Sequence, residues 1–214
     1  MKNKEKKSTI FHDAMALFVI TLVSILALSY VYEITKDPIE QKAMAKKLEA
    51  YQVVYPDAAS LKEDTELTEK ALATDLASID ASYSGATIDE INQVYDGNDT
   101  LIGYIVKVNT KGYKDVISLV LGYSVDRTVQ GMEIVSINDT AGLGNNAKEP
   151  DFKNQFAGKT VDQFEVTKSG ATKENEINAI SSATITTDAV VHAVNAGLGF
   201  LSEYSAELGG SANE

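Results

Sequence analysis

The sequence predicts an α+β protein, with one N-terminal transmembrane helix followed by a domain that has a small antiparallel sheet and flanking helices. Three observations carry this. From Ala14 to Tyr32 no residue is charged, and Leu, Ile, Val, Phe and Ala dominate, which matches the roughly 20 apolar residues needed to cross a bilayer. Between Glu90 and Ile137 apolar residues fall on the two-residue period of strands, with turn residues between the runs. From about Thr187 to Leu208, Val190, Val191, Val194, Leu198 and Leu201 recur at helical spacing, an apolar stripe suited to a core.

Lys2, Lys4, Lys6 and Lys7 precede the apolar run, so the positive-inside rule places residues 1–13 in the cytoplasm. Residues 14–34 form the membrane helix. The run is long for a cleaved signal peptide, and no small-x-small cleavage site follows in Tyr30-Val31-Tyr32-Glu33, so a retained anchor is predicted. Everything beyond it then lies outside the cytoplasm. Residues 1–13 hold four Lys and two acids, leaving 15 basic and 29 acidic residues in the remainder, a net of −14. Such a surface lacks the electrostatic footprint of a nucleic-acid binder. Cysteine is absent, which excludes disulfides, thiolate metal sites and a lipidated N-terminal Cys. With two His, a histidine-rich metal centre is not expected; His12 adjoins the membrane segment and His192 falls in the last helix, where packing or solvation explains it.

Residues 35–86 read as a helical and linker segment. Asp37-Pro38-Ile39-Glu40 has the pattern of a helix start, with Asp at N-cap, Pro at N1 and Glu at N3. That helix is expected to run to about Val54 and stop before Pro56. Weak helical stretches follow near Ala58–Leu61 and Glu66–Leu76. Residues 87–208 form the main domain. Ile91–Tyr95 and Leu101–Val108 read as a hairpin turning at Gly97-Asn98, and Val116–Tyr123 with Val129–Ile137 as a second, turning at Val125–Thr128. Between the hairpins, Gly112 in Lys111-Gly112-Tyr113 allows a tight bend. Pro150–Phe156 should make one or two helical turns that place Phe152 and Phe156 in the core, ended by Gly158-Lys159. Phe164–Thr167 and Ile177–Ile180 read as short strands, and residues 209–214 as a polar tail.

Two stretches invite chemistry. The loop Asn138-Asp139-Thr140-Ala141-Gly142-Leu143-Gly144 carries a Gly-x-Gly that permits close backbone approach to a ligand, although such a pair is more often a plain turn. In Ile180-Ser181-Ser182-Ala183-Thr184-Ile185-Thr186-Thr187, five of eight side chains carry a hydroxyl. Thr187 reads as the N-cap of the last helix, whose free N–H groups and dipole favour an anion such as phosphate. Thr184 lies upstream beside the small Ser182 and Ala183. An ordinary hydroxyl-rich strand-to-helix connection is the alternative. No nucleophile–base pair or carboxylate constellation is visible, so turnover of a small substrate by this chain alone is not expected.

In order and spacing, these features resemble the FMN-binding G subunit of Rnf-type electron-transport complexes, a family similar to the C subunit of the sodium-pumping NADH:quinone reductase. The resemblance spans most of the chain: the membrane helix, Thr35-Lys36-Asp37-Pro38-Ile39, the Gly-Tyr and hairpin region, a Thr-x-Gly-Leu-Gly loop, a Phe-x-x-x-Phe helix and a terminal Ser-x-Ala-Thr element. It implies a membrane-anchored electron carrier within an ion-pumping ferredoxin:NAD oxidoreductase, with other membrane and peripheral subunits as partners. It also implies covalent FMN on Thr184 through a phosphoester, installed by a separate flavin transferase. Ser181, Ser182, Ala183 and Thr187 surround that position, and the loop residues Thr140, Gly142, Leu143 and Gly144 help enclose the flavin. Two residues depart from the family pattern. Ser182 stands where Gly is usual, which requires a backbone that tolerates a Cβ, and Asn178 stands where Asp is frequent, which bears on recognition by the transferase. A different extracytoplasmic FMN carrier or quinone-reductase subunit, and a cofactor-free surface binding module, are the alternative readings.

Overall fold

The computed structural model describes the backbone of residues 4–138 and 143–208, and side chains within 11–35, 51–138 and 143–204. The chain divides into two units, Met1–Lys47 and Leu48–Glu214.

The first unit is helical. Helix α1 runs from Lys4 to Tyr51, and its stretch Phe11–Thr35 is 25 residues long, exposed, and apolar enough to cross a membrane. Three hydroxyls in that stretch turn back onto the helix. Thr21 Oγ1 donates to Leu17 O at 3.0 Å, Ser24 Oγ to Ile20 O at 2.8 Å and Thr35 Oγ1 to Val31 O at 2.7 Å. The carbonyl three or four residues back is the nearest acceptor for such a hydroxyl. The predicted helix start at Asp37-Pro38 is not a start: the helix passes through it without a break and ends at Tyr51 rather than near Val54. An interior proline removes one backbone bond and crowds the carbonyl four residues back, a cost of about 3 kcal/mol that the long helix on either side absorbs here.

In the second unit five strands form one antiparallel meander, β1 (Ser60–Glu63), β2 (Thr87–Tyr95), β3 (Leu101–Lys111), β4 (Val116–Ser124) and β5 (Val129–Ser136), in that spatial order. Both predicted hairpins are present, and β3 and β4 also pair, from Lys111↔Val116 to Gly103↔Ser124. The β2–β3 turn is held by Asp96, whose Oδ1 accepts the backbone N–H of Asn98 and Thr100 at 2.8 and 2.9 Å. The predicted helical stretch Ala58–Leu61 is instead the approach to edge strand β1, which pairs Ser60–Glu63 with Tyr95–Asn92. Four residues have too little helix propensity to outweigh a ready-made strand edge. Helix α2 (Thr65–Ala73) follows, with Asp64 as N-cap accepting from Leu67 N, and then two short 3₁₀ turns at Leu76–Ser78 and Ala81–Tyr83.

One face of the sheet carries the main core. Val106, Val108, Leu119 and Leu121 are fully buried there with Val190, Ala193 and Val194 of helix α4 (Thr184–Leu208). Each such Val or Leu contributes about 1.5–3 kcal/mol. The helix approaches closely at Gly197, where an added Cβ would lie 3.1 Å from Val108 Cγ2 and 3.3 Å from Leu121 Cδ2. Between β5 and α4 lie a 3₁₀ turn (Gly144–Lys148), helix α3 (Pro150–Lys153) and a separate parallel pair, β6 (Glu165–Thr167) with β7 (Glu176–Asn178). Phe152 and Phe156 enter the core as predicted. Phe156 meets Phe152 and Phe164 edge-on, with centroids 5.6 and 5.1 Å apart. Buried Asn195 of α4 ties this region down: its Oδ1 accepts Phe164 N–H at 2.8 Å and its Nδ2 donates to Phe164 O at 2.9 Å.

Candidate functional site

Helix α4 begins three residues earlier than its sequence pattern suggested, at Thr184, and this rearranges the hydroxyl-rich stretch. Ile180–Ala183 form a β-turn closed by Ala183 N–H to Ile180 O at 3.0 Å, with Ser182 at φ 61°. A positive φ at the third residue is the demand of a type II turn, which Gly meets without strain and Ser does not. Ser182, where the resemblance implies Gly, therefore falls on a left-handed position.

Thr187 is not the N-cap. It lies in the first turn, fully buried, and its Oγ1 accepts Ile180 N–H and donates to Ala183 O, both at 3.0 Å. Its own N–H makes the first helical bond, to Ala183 O. The cap position thus falls to Ala183, which has no side-chain oxygen to offer. Among the described residues, the N–H groups of Thr184 and Ile185 make no hydrogen bond. The anion-favouring end of the helix is therefore open, one turn upstream of where the sequence placed it.

A cleft of about 480 Å³ adjoins this end, lined by Tyr113, Leu143, Gly144, Ser182, Ala183, Thr184, Ile185 and Thr186. It falls in the size range of small-molecule sites. Of the residues predicted to surround a ligand, Leu143, Gly144, Ser182, Ala183 and Thr184 meet here. Ser181 sits in the adjoining turn, exposed, and Thr187 lies beneath the cleft as a support. Thr140 and Gly142 fall outside the described residues. Three lining residues were not predicted: Tyr113, Ile185 and Thr186. Tyr113 is large, aromatic and exposed in a turn behind Gly112, a combination that core packing does not explain and that was available as a signal. Gly112 holds this turn by donating to Asp115 O at 2.9 Å.

The Tyr113 ring and the Leu143 and Ile185 side chains supply apolar walls, and Gly144 supplies backbone without a side chain. Thr184 offers a half-exposed hydroxyl beside the unpaired N–H groups. These residues fit a ligand with a flat apolar ring system and a phosphate. A second cleft of similar size, about 470 Å³, is lined by Tyr123, Arg127, residues 160–163, Glu174 and Asn175. Volume does not separate the two, but chemistry does. The second presents mixed charges and no glycine loop, and it lies at the far end of β4, roughly 25–30 Å away at 3.4 Å per residue.

Asn178 ends β7. Its Oδ1 accepts Ala171 N–H and its own N–H donates to Gln155 Oε1, both at 2.7 Å. An Asp oxygen would accept the first bond equally, so the departure at 178 is neutral for the local fold. His192 bonds Thr110, with Nδ1 3.0 Å from Oγ1, which ties α4 to β3.

Residues 112–199 match the family described as FMN-binding domain, and every residue lining the first cleft falls inside that match. Over 204 residues the chain is 34% identical to the G subunit of the Na(+)-translocating ferredoxin:NAD(+) oxidoreductase complex of Acetobacterium woodii, covering 91% of this chain and 95% of that one. It is 27% identical over 189 residues to the G subunit of the ion-translocating oxidoreductase complex of Methanosarcina acetivorans, covering 88% and 92%. The fold is similar to the crystal structure of NqrC from Shewanella oneidensis, with a TM-score of 0.50 and 20% identity, covering 57% of this chain and 61% of that one.

Proposed function

The chain belongs to the family of G subunits of ion-translocating oxidoreductase complexes, and on that premise we propose how it holds its flavin and where it works. It is an FMN-binding electron-transfer subunit with an N-terminal apolar helix that serves as a membrane anchor. FMN supplies the one- and two-electron chemistry.

In our reading the flavin is covalent, joined through its phosphate to Thr184 Oγ1, with Thr140, Gly142, Leu143 and Gly144 enclosing the ring and Ser181, Ser182, Ala183 and Thr187 shaping the attachment turn. The carrying observation is the position of Thr184, a half-exposed hydroxyl that opens α4 beside N–H groups without partners, on the wall of an apolar cleft. The Thr184 and Ile185 N–H groups stabilise the phosphate. Thr187, bonded to both Ile180 and Ala183, fixes the turn so that Thr184 faces outward. Tyr113, Leu143 and Ile185 exclude water from the ring. Attachment needs a flavin transferase, and the electrons pass to and from other subunits of the complex. The lysines ahead of the apolar run favour a cytoplasmic N-terminus and an extracytoplasmic flavin domain. The 34% identity along nearly the whole chain to a G subunit favours this assembly over a quinone reductase.

Intact mass and in-gel flavin fluorescence after denaturation test the attachment, on protein from cells containing the transferase beside Thr184→Ala. An FMN-sized mass increment that vanishes in Thr184→Ala is expected. Flavin that survives denaturation in the variant would move the bond to another hydroxyl, and a wild-type chain that never carries flavin would remove the carrier reading.

A further inference from the structure

The mouth of the flavin cleft carries a second feature. Eight large hydrophobic residues are exposed among the described residues of the compact unit, and three of them, Tyr113, Leu143 and Ile185, stand at this one opening. A fourth, Val116, is 53% exposed and lies three residues beyond Tyr113 at the start of β4. Hydrophobes scattered singly need no account, but a cluster at one place marks an interaction site. Lys111 and Lys114 flank Tyr113 in the same turn, both exposed, and neither joins an ion pair among the described residues. Residues 48–214 hold 11 basic and 26 acidic side chains, a net of −15. Asp115, the acid of the same turn, is turned onto Val116 N–H and Asn138 Nδ2. Against the acidic background, two unpaired lysines beside an apolar opening leave a local positive excess that attracts a carboxylate-bearing surface.

We propose that the rim formed by Tyr113, Val116, Leu143 and Ile185, with Lys111 and Lys114 at its edge, is the surface on which a redox partner protein docks to reach the flavin. The partner's matching surface is apolar at its centre and carries carboxylates at its rim. This rests on the cleft being the flavin site. A lipid surface is the less suitable occupant, because two lysines do not offset the repulsion between an anionic membrane and a unit of net −15. The geometry also suits electron exchange. A partner seated here covers the mouth of the cleft itself, whereas the mixed-charge cleft at the other end of β4 is too remote for direct contact.

The test is photo-cross-linking of the full chain in its native membranes, with a photoreactive amino acid at Lys114 or Val116, and at Leu72 or Val125 as equally exposed controls. Flavin content by intact mass is measured on every variant. The expected result is a cross-link from 114 and 116 but not from 72 or 125. Its partner peptide carries Asp or Glu beside apolar residues. The yield from 116 should fall about tenfold in Lys111→Glu/Lys114→Glu and recover when the partner's carboxylates are changed to Lys. Equal cross-linking from the controls, lipid as the main adduct, or a yield indifferent to the charge reversal would overturn the docking surface while leaving the flavin reading intact. Loss of flavin in the double variant would also overturn it, by assigning both lysines to the cofactor. A wild-type chain without flavin would remove both readings.

Discussion

Replacing Thr187 separates two roles that predict opposite outcomes. At an N-cap, Asn is as good as or better than Thr, and Val costs about 1 kcal/mol. The structure instead buries Thr187 completely, with its hydroxyl shared between Ile180 N–H and Ala183 O at 3.0 Å each. Thr187→Val keeps the branched shape but removes both bonds. Two hydrogen bonds at about 0.5–1.5 kcal/mol each, together with a half-buried Ile180 N–H left unpaired, give a loss of about 2–3 kcal/mol. Thr187→Asn must place a larger amide where nothing reaches solvent, costing at least as much through overpacking and an unpaired donor. For a unit spanning Leu48–Glu214, this corresponds to a fall in Tm of roughly 5–10 °C. Thermal unfolding of the detergent-solubilised, flavin-free chain by circular dichroism is the assay, because it isolates the fold from the cofactor. An Asn variant as stable as wild type would restore Thr187 as a cap and refute the buried assignment. The same variants should lower the fraction of chains carrying flavin, since a loosened turn no longer presents Thr184.

Three further outcomes follow from single contacts. Asn195→Ala should lower stability by about 2–4 kcal/mol, because both backbone groups of Phe164 lose their partner in the core, and denaturant unfolding reads this as a lower midpoint at unchanged slope. Ser182→Gly relieves a left-handed residue worth about 1–2 kcal/mol but adds unfolded-state freedom worth about 0.5–1 kcal/mol, so a net gain of roughly 0.5 kcal/mol is expected, and a loss would show that the Ser182 side chain contributes a contact. Asp96, Asp126 and Glu176 are held below their ordinary carboxylate values, Asp96 and Glu176 chiefly by backbone N–H donors and Asp126 chiefly by the Ser124 hydroxyl. Since the folded values are the lower ones, their stabilisation is complete above the ordinary values of 3.8 and 4.5 and disappears as pH falls through the folded ones. The thermal midpoint should therefore drop on the acid side below about pH 4.5, less steeply in a variant carrying Asp96→Asn, Asp126→Asn and Glu176→Gln, and an unchanged acid limb would contradict the assignment.

Local pattern was sufficient wherever an element buries one face. Both hairpins, the Phe152 and Phe156 positions and the apolar stripe of α4 all follow from period and turn chemistry, since each places its side chains on one side whatever the rest of the chain does. The cleft was legible in part for the same reason. The glycine loop and the run of hydroxyls ahead of a helix stand out locally, but it is the family resemblance that joined Leu143, Gly144 and Thr184 into one expected site.

Tertiary structure decided what propensity leaves open. Ser60 and Leu61, at the end of a stretch with weak helical preference, became the start of β1 because β2 offered an edge with unpaired backbone groups. Asp37-Pro38 carries every sign of a helix start and is helix interior, the cost of about 3 kcal/mol for an internal proline being outweighed by the helix that continues on both sides. Thr187 satisfies the rule for a cap and is a buried strut. The β-turn at Ile180–Ala183 begins the helix one turn sooner and brings its hydroxyl under Ile180. Tyr113 joins Thr184, 71 residues later, only because the β3–β4 turn comes to the N-terminal end of α4. Nothing local encodes that meeting. It arises from the helix packing across β3 and β4, where burial of Val106, Val108, Leu119 and Leu121 leaves it one place to lie.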